Sequence, residues 1–149
     1  MSEPSEPPPD ERWTVVYDGA CGICKWLLAG FLRLDRERRL RPIPLQSPEA
    51  DALLADLEPS ERMASWHLLS ADGVRVSAGA ALPRLLSALP GGGLPAATLA
   101  RFPRLTASGY RWVAEHRSQL SRFVPQRAKQ RAAERIRARE HSEIARRQT

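Results

Sequence analysis

Two periods of apolar and polar positions alternate along this chain. Residues 13–17 (WTVVY) are short, β-branched and aromatic, and Asp18-Gly19 follows them, which predicts a buried strand ending in a turn. From Gly22 to about Asp35 the period lengthens. Cys24, Leu27, Leu28, Phe31 and Leu34 recur three and four apart, the stripe of a helix packed on one face. Residues 40–45 (LRPIPL) read as extended, and Pro42 and Pro44 withhold two ladder donors, which places the strand at an edge. Ser47-Pro48-Glu49 offers a cap, a first-position proline and a first-turn acid, so a helix is expected to about Leu57. Residues 66–70 (WHLLS) and 74–77 (VRVS) flank Ala71-Asp72-Gly73, a hairpin signal. Residues 79–89 form a helical pattern that Pro90 and three glycines stop. A short helix and turn is expected over 94–104, and an amphipathic helix over 108–124 that ends or kinks at Pro125.

The order is strand, helix, strand, helix, strand, strand, helix. A βαβ unit followed by a hairpin and a helix is the arrangement of an α/β, thioredoxin-like domain. It implies a mixed sheet of about four strands flanked by helices, here with a C-terminal helical extension. Residues 1–11, with three consecutive prolines and no periodicity, read as disordered. The domain is expected over 12–124. A basic, Arg-rich tail over 125–149 is expected to be helical or disordered.

Composition narrows this picture. A chain of 149 residues, 42% apolar, fits one domain with a tail. Its two cysteines cannot supply a disulfide framework or a four-cysteine zinc site. The longest apolar run, WLLAGFL, is far short of a membrane span, so no membrane partner is expected. The acidic, proline-rich start lacks the basic and apolar regions of a secretory signal. A cytoplasmic protein with reduced thiols is the expectation.

The net charge of +6 belongs mostly to the tail, where eight Arg or Lys face three Glu. Arg127, Arg131, Arg135 and Arg139 are four apart and would form one helical stripe of like charges. Ala128, Ala132 and Ile136 give only a thin apolar face. A solvated helix, dispensable for folding, is the favoured reading. An anion binder that engages nucleic acid or an acidic partner is the alternative.

Chemistry concentrates at Cys21-Gly22-Ile23-Cys24, where the first strand's turn becomes the first helix. A helix start offers unpaired N–H groups and a positive dipole end, both of which stabilise a thiolate. The thiolate is the nucleophile of disulfide exchange. Cys21, nearest the open turn, is the expected attacking thiol. Cys24, on the apolar stripe, is the expected buried resolving thiol. Gly22 is expected to keep the approach uncrowded, Lys25 to add a positive charge, Trp26 to shield Cys24, and Asp18 to relay a proton to or from Cys24. Turn and cap chemistry is the simpler role for Asp18. Two inert core cysteines, or half a zinc site completed by His67, His116, His141 or carboxylates, stay open as alternatives. His67 is more simply a paired, structural histidine. No metal or bound cofactor is needed for dithiol chemistry.

Tyr17 to Cys24, YDGACGIC, resembles the signature of the DCC family of predicted thiol–disulfide oxidoreductases, with Asp18, Cys21 and Cys24 on its three named positions. The resemblance continues through the Asp72-Gly73 hairpin, the helix beginning Ser77-Ala78-Gly79-Ala80 and a closing helix around Tyr110 to Arg117. It implies a thioredoxin-like fold and dithiol chemistry, and little about substrate. The expected partners are a protein or low-molecular-weight disulfide and an unknown recycling reductant or oxidant. One departure stands out. The wider thioredoxin class places a cis-proline before the third strand, facing the cysteines, whereas here Met63-Ala64-Ser65 precedes Trp66.

Overall fold

The computed structural model describes residues 12–149, so the disorder expected over 1–11 lies outside the described residues. Four strands form one sheet in the order β2-β1-β3-β4: β1 (Trp13–Tyr17), β2 (Leu40–Pro44), β3 (His67–Ser70) and β4 (Arg75–Ser77). β1 runs parallel to β2 and antiparallel to β3, and β3 and β4 make the antiparallel hairpin. The two prolines of β2 are tolerated because that strand is an edge. This is the thioredoxin-like α/β arrangement, a mixed sheet with flanking helices and a C-terminal helix.

Side chains alternate across the sheet, so neighbouring residues enter two different cores. Val15, Leu40 and Leu68 meet Leu28 and Leu32 of α1 (Gly22–Leu34) and Leu85 of α4 (Ala81–Ser87). Val16, Ile43 and Leu69 meet Ala50 of α2 (Pro48–Leu53) and Leu54 on the other face. The buried face of α1 is turned from the expected stripe: Ile23, Leu28, Ala29 and Leu32 are buried, while Leu27 and Leu34 are exposed. The cause is that α1 packs on a helix as well as on the sheet.

The helix expected to reach Leu57 ends at Leu53, and α3 (Pro59–Ala64) follows. Glu58, held extended before a proline, starts it, and Glu58 and Glu61 cap each other's backbone. α5 (Gly93–Arg101), α6 (Pro103–Glu115) and α7 (Arg117–Phe123) replace the two looser segments expected there. α6 comes close enough to the start of α4 that a Cβ on Gly79 would lie 2.8 Å from the Ala107 Cα. Only glycine admits that approach.

The last helix, α8 (Gln126–Arg147), corrects the expectation of a tail that lies in solvent. It lies along α1 and against β2. Ile136 and Ala132 are buried, and Ile136 joins the core of Val15, Tyr17 and Leu28. Arg139 donates to Asp35 Oδ2 at 2.8 Å and to the carbonyls of Leu40, Leu32 and Asp35. Asp35, whose side chain is fully buried, also accepts the N–H groups of Arg39 and Leu40 at 2.9 Å. The Tyr17 hydroxyl donates to Glu140 at 2.9 Å, and Arg12 pairs with Glu143. Burial, then the Glu140 charge, pushes the Tyr17 phenol far above its usual range. The apolar face of α8 is as thin as its sequence says, but much of its polar face is partnered. α8 is thus packed on the domain that precedes it. Among the described residues no helix is long and apolar enough to cross a membrane.

Candidate active site

The site forms where β1 ends and α1 begins. The parallel register pairs Tyr17 with Pro44, so Gly19 and Gln46 come abreast two residues later. Gln46 uses both ends of its amide there. Its Oε1 accepts the Gly19 N–H at 3.1 Å, and its Nε2 donates to Asp18 Oδ1 at 2.9 Å. The same Asp18 oxygen accepts the Ala20 N–H at 2.9 Å, and the Cys21 N–H closes the turn on the Asp18 carbonyl at 3.2 Å. Asp18 therefore performs the turn chemistry expected of an Asp before Gly.

Cys21 is the N-cap residue of α1, with extended backbone, and its carbonyl accepts the Lys25 N–H. Both thiols are free and half-buried, Cys24 the deeper. Their sulfurs are 2.8 Å apart, with the Cys24 S–H directed at Cys21 Sγ. The Cys21 thiol is lowered to about 6. The Cys24 S–H is the chief cause, working against burial. The Cys24 backbone N–H and the Arg117 charge help, and the Asp18 charge opposes. Cys24 is pushed far upward, first because its proton is held by Cys21, then by burial and by the Cys21 charge. The pair is thus strongly asymmetric, with Cys21 mostly thiolate at neutral pH.

Arg117, at the start of α7, is a site residue that the sequence reading gave no role. It pairs with Asp18 Oδ2 at 3.8 Å, and its charge lowers both thiols. It takes the part assigned to Lys25. Trp26 is also corrected: it lines a groove between α1 and α8 beside Arg127 and Arg131, and the indole that favours the Cys24 thiolate is that of Trp66. Gly22 serves close packing rather than open approach. A Cβ there would lie 2.9 Å from Ser121 Oγ and 3.1 Å from the Lys129 stem.

Tyr110 completes the surroundings. Its hydroxyl accepts the backbone N–H of Trp66 at 2.9 Å, at the place where the cis-proline was missing from the sequence. No cis peptide bond occurs among the described residues. Burial holds the Tyr110 phenol above its usual range, and the Cys24 charge adds to this. Beside Cys24, Trp66 and Tyr110 opens a cavity of about 510 Å³.

His67 is buried, and both ring nitrogens are engaged. Nε2 donates to the Arg62 carbonyl at 3.1 Å, so Nδ1 accepts from the Ser77 hydroxyl at 2.7 Å. Burial holds it below the usual histidine range, in its neutral form. His116 bonds the Trp112 carbonyl and stacks on the Trp112 ring. Among the described residues no three His, Cys, Asp or Glu side chains gather as a metal site.

A match to the DCC1-like thiol-disulfide oxidoreductase family covers residues 15–123. The chain belongs to that family. No curated protein and no solved structure matches it. Membership supports a redox function and a thiol or disulfide substrate. The matched span takes in the dithiol, the hairpin and the two helices that bring Tyr110 and Arg117 to it. It stops before α8.

Proposed function

We propose that this protein catalyses thiol–disulfide exchange, with Cys21 attacking and Cys24 resolving. The observation that carries the reading is the Cys24 S–H directed at Cys21 Sγ at a helix N-terminus. It leaves a thiolate on the outer cysteine and a proton on the inner one, the division of labour that exchange requires. The Cys21 thiolate attacks one sulfur of a substrate disulfide, whose other sulfur leaves as a thiolate. Cys24 then loses its proton, attacks Cys21 Sγ and releases the second substrate thiol. The protein ends as the Cys21–Cys24 disulfide.

Alkylation of the reduced protein at varied pH tests the asymmetry. Cys21 is expected to react first, with a rate midpoint near pH 6, the value its surroundings set. Arg117→Ala removes a charge that favours the thiolate, so its midpoint is expected to rise by up to about one pH unit. Faster labelling of Cys24, or a midpoint that Arg117→Ala leaves in place, would contradict the assignment.

Asp18 supports a second role within the same reading. Its carboxylate is largely buried and lines the same cavity as Cys24, whose raised thiol needs a base before it can attack. We assign Asp18 as that base. Asp18→Asn keeps the turn's acceptor oxygen. It is expected to leave attack by Cys21 no slower, because the Asp18 charge opposes that thiolate. Resolution should slow by about a hundredfold, the usual worth of a general base. Stopped-flow measurement of mixed-disulfide lifetime separates the two steps. Equal lifetimes in both proteins would leave Asp18 as a turn cap alone.

A further inference from the structure

We propose that the cavity beside Cys24 seats the apolar arm of a low-molecular-weight disulfide, which makes small disulfides with aliphatic or aromatic groups the substrate class. This rests on the dithiol reading and specifies its substrate. The cavity's volume, about 510 Å³, suits a small organic group. Its walls come from Leu27 and Phe31 of α1 and from Leu82, Leu99 and Val113 of three further helices. The charged groups on the lining, Asp18 and Arg117, are paired beside the dithiol. A substrate would therefore meet mostly apolar walls along its arm and charged groups only at the reacting sulfurs. Phe102 and Leu105, exposed on the same lining, extend the apolar surface outward.

One contact decides between a small molecule and an extended polypeptide. The Trp66 N–H, at the strand end facing the dithiol, is already taken by the Tyr110 hydroxyl. A peptide laid beside Cys24 would lose that backbone donor, whereas an arm held by apolar walls needs none.

The reaction balances without a further reagent in a single turnover. The reduced dithiol and one R–S–S–R give the Cys21–Cys24 disulfide and two R–SH, one released sulfur taking the Cys24 proton and the other a proton from solvent.

Symmetric hydroxyalkyl disulfides of increasing length, from hydroxyethyl to hydroxyhexyl, keep the reacting group constant while the arm grows. With reduced protein, the second-order single-turnover rate constant is expected to rise by about fourfold per methylene seated, until the cavity is filled. Gly109 lines the cavity from α6, and a Cβ added there meets nothing within 4 Å. Gly109→Leu starts its side chain in open space on that lining, is expected to fill part of the cavity, and replaces a poor helix former. Its melting temperature should be no lower than the wild type's, and the rate ratio of hydroxyhexyl to hydroxyethyl disulfide should fall at least tenfold. A wild-type rate independent of chain length, or a ratio that Gly109→Leu leaves intact, would overturn the cavity assignment while exchange itself stood. No reaction with any disulfide would overturn the dithiol reading instead. A disulfide-containing peptide that outpaces the longest hydroxyalkyl disulfide, and is slowed by Gly109→Leu, would overturn the small-molecule class.

Discussion

Arg139→Ala is expected to lower the unfolding free energy by about 3–5 kcal/mol, the usual cost of removing one partner of a buried ion pair. Its partner Asp35 is fully buried, and the guanidinium also holds the carbonyls of Leu32, Asp35 and Leu40. Alanine would leave the Asp35 charge beside only two backbone N–H donors. It would also take a donor from the carbonyls of Leu32, Leu40 and Asp35, of which Asp35 keeps the Arg38 N–H. Against a typical domain stability of about 5–15 kcal/mol this loss is large. Deleting residues 126–149 goes further. It removes Ile136 from the core and uncovers α1, so no cooperative unfolding transition is expected to remain. Urea titration followed by far-UV circular dichroism measures both. An unfolding free energy within about 0.5 kcal/mol of wild type for Arg139→Ala, the range of ordinary surface substitutions, would show that water solvates Asp35 once the arginine is gone. A folded truncation would show that the region of the family match is self-sufficient.

Cys24→Ser is expected to stop exchange halfway. Cys21 still carries the Cys24 backbone N–H bond and the Arg117 charge, so it still attacks a disulfide. The adduct then has no thiol to resolve it. Mixed disulfides should accumulate on Cys21, visible on non-reducing gels and released by dithiothreitol. Cys21→Ser should trap little. The remaining thiol is the deeper one, flanked by Trp66, and lacks the thiolate character of Cys21. Turnover should fall by several orders of magnitude in both variants, because the two sulfurs act as a unit. Equal trapping by both, or by neither, would remove the support for attack by Cys21.

Whatever neighbouring residues can express was readable along the chain. Strand β1, the capped start of α2, the Asp-Gly hairpin and the edge position of β2 follow from signals a few residues wide. The dithiol at a helix start was legible for the same reason, since the turn, the cap and the first helical residues are consecutive. The pairing of His67 was legible only as a tendency of its residue type. Tertiary structure decided everything that joins distant segments. Arg139 and Asp35 are 104 positions apart, and the last arginine of a stripe whose Arg127, Arg131 and Arg135 are exposed reads as solvated like them until that partner is in place. Arg117 and Tyr110 lay within the segment resembling the family's closing helix. Yet nothing local told that one would face Asp18 and the other Trp66. The exposure of Leu27, on a stripe whose period alone predicts burial, has the same origin. Periodicity reports which side of a helix is apolar. Which neighbours cover that side is set by the packing of the whole chain, because burial and charge pairing depend on separation in space rather than along the sequence.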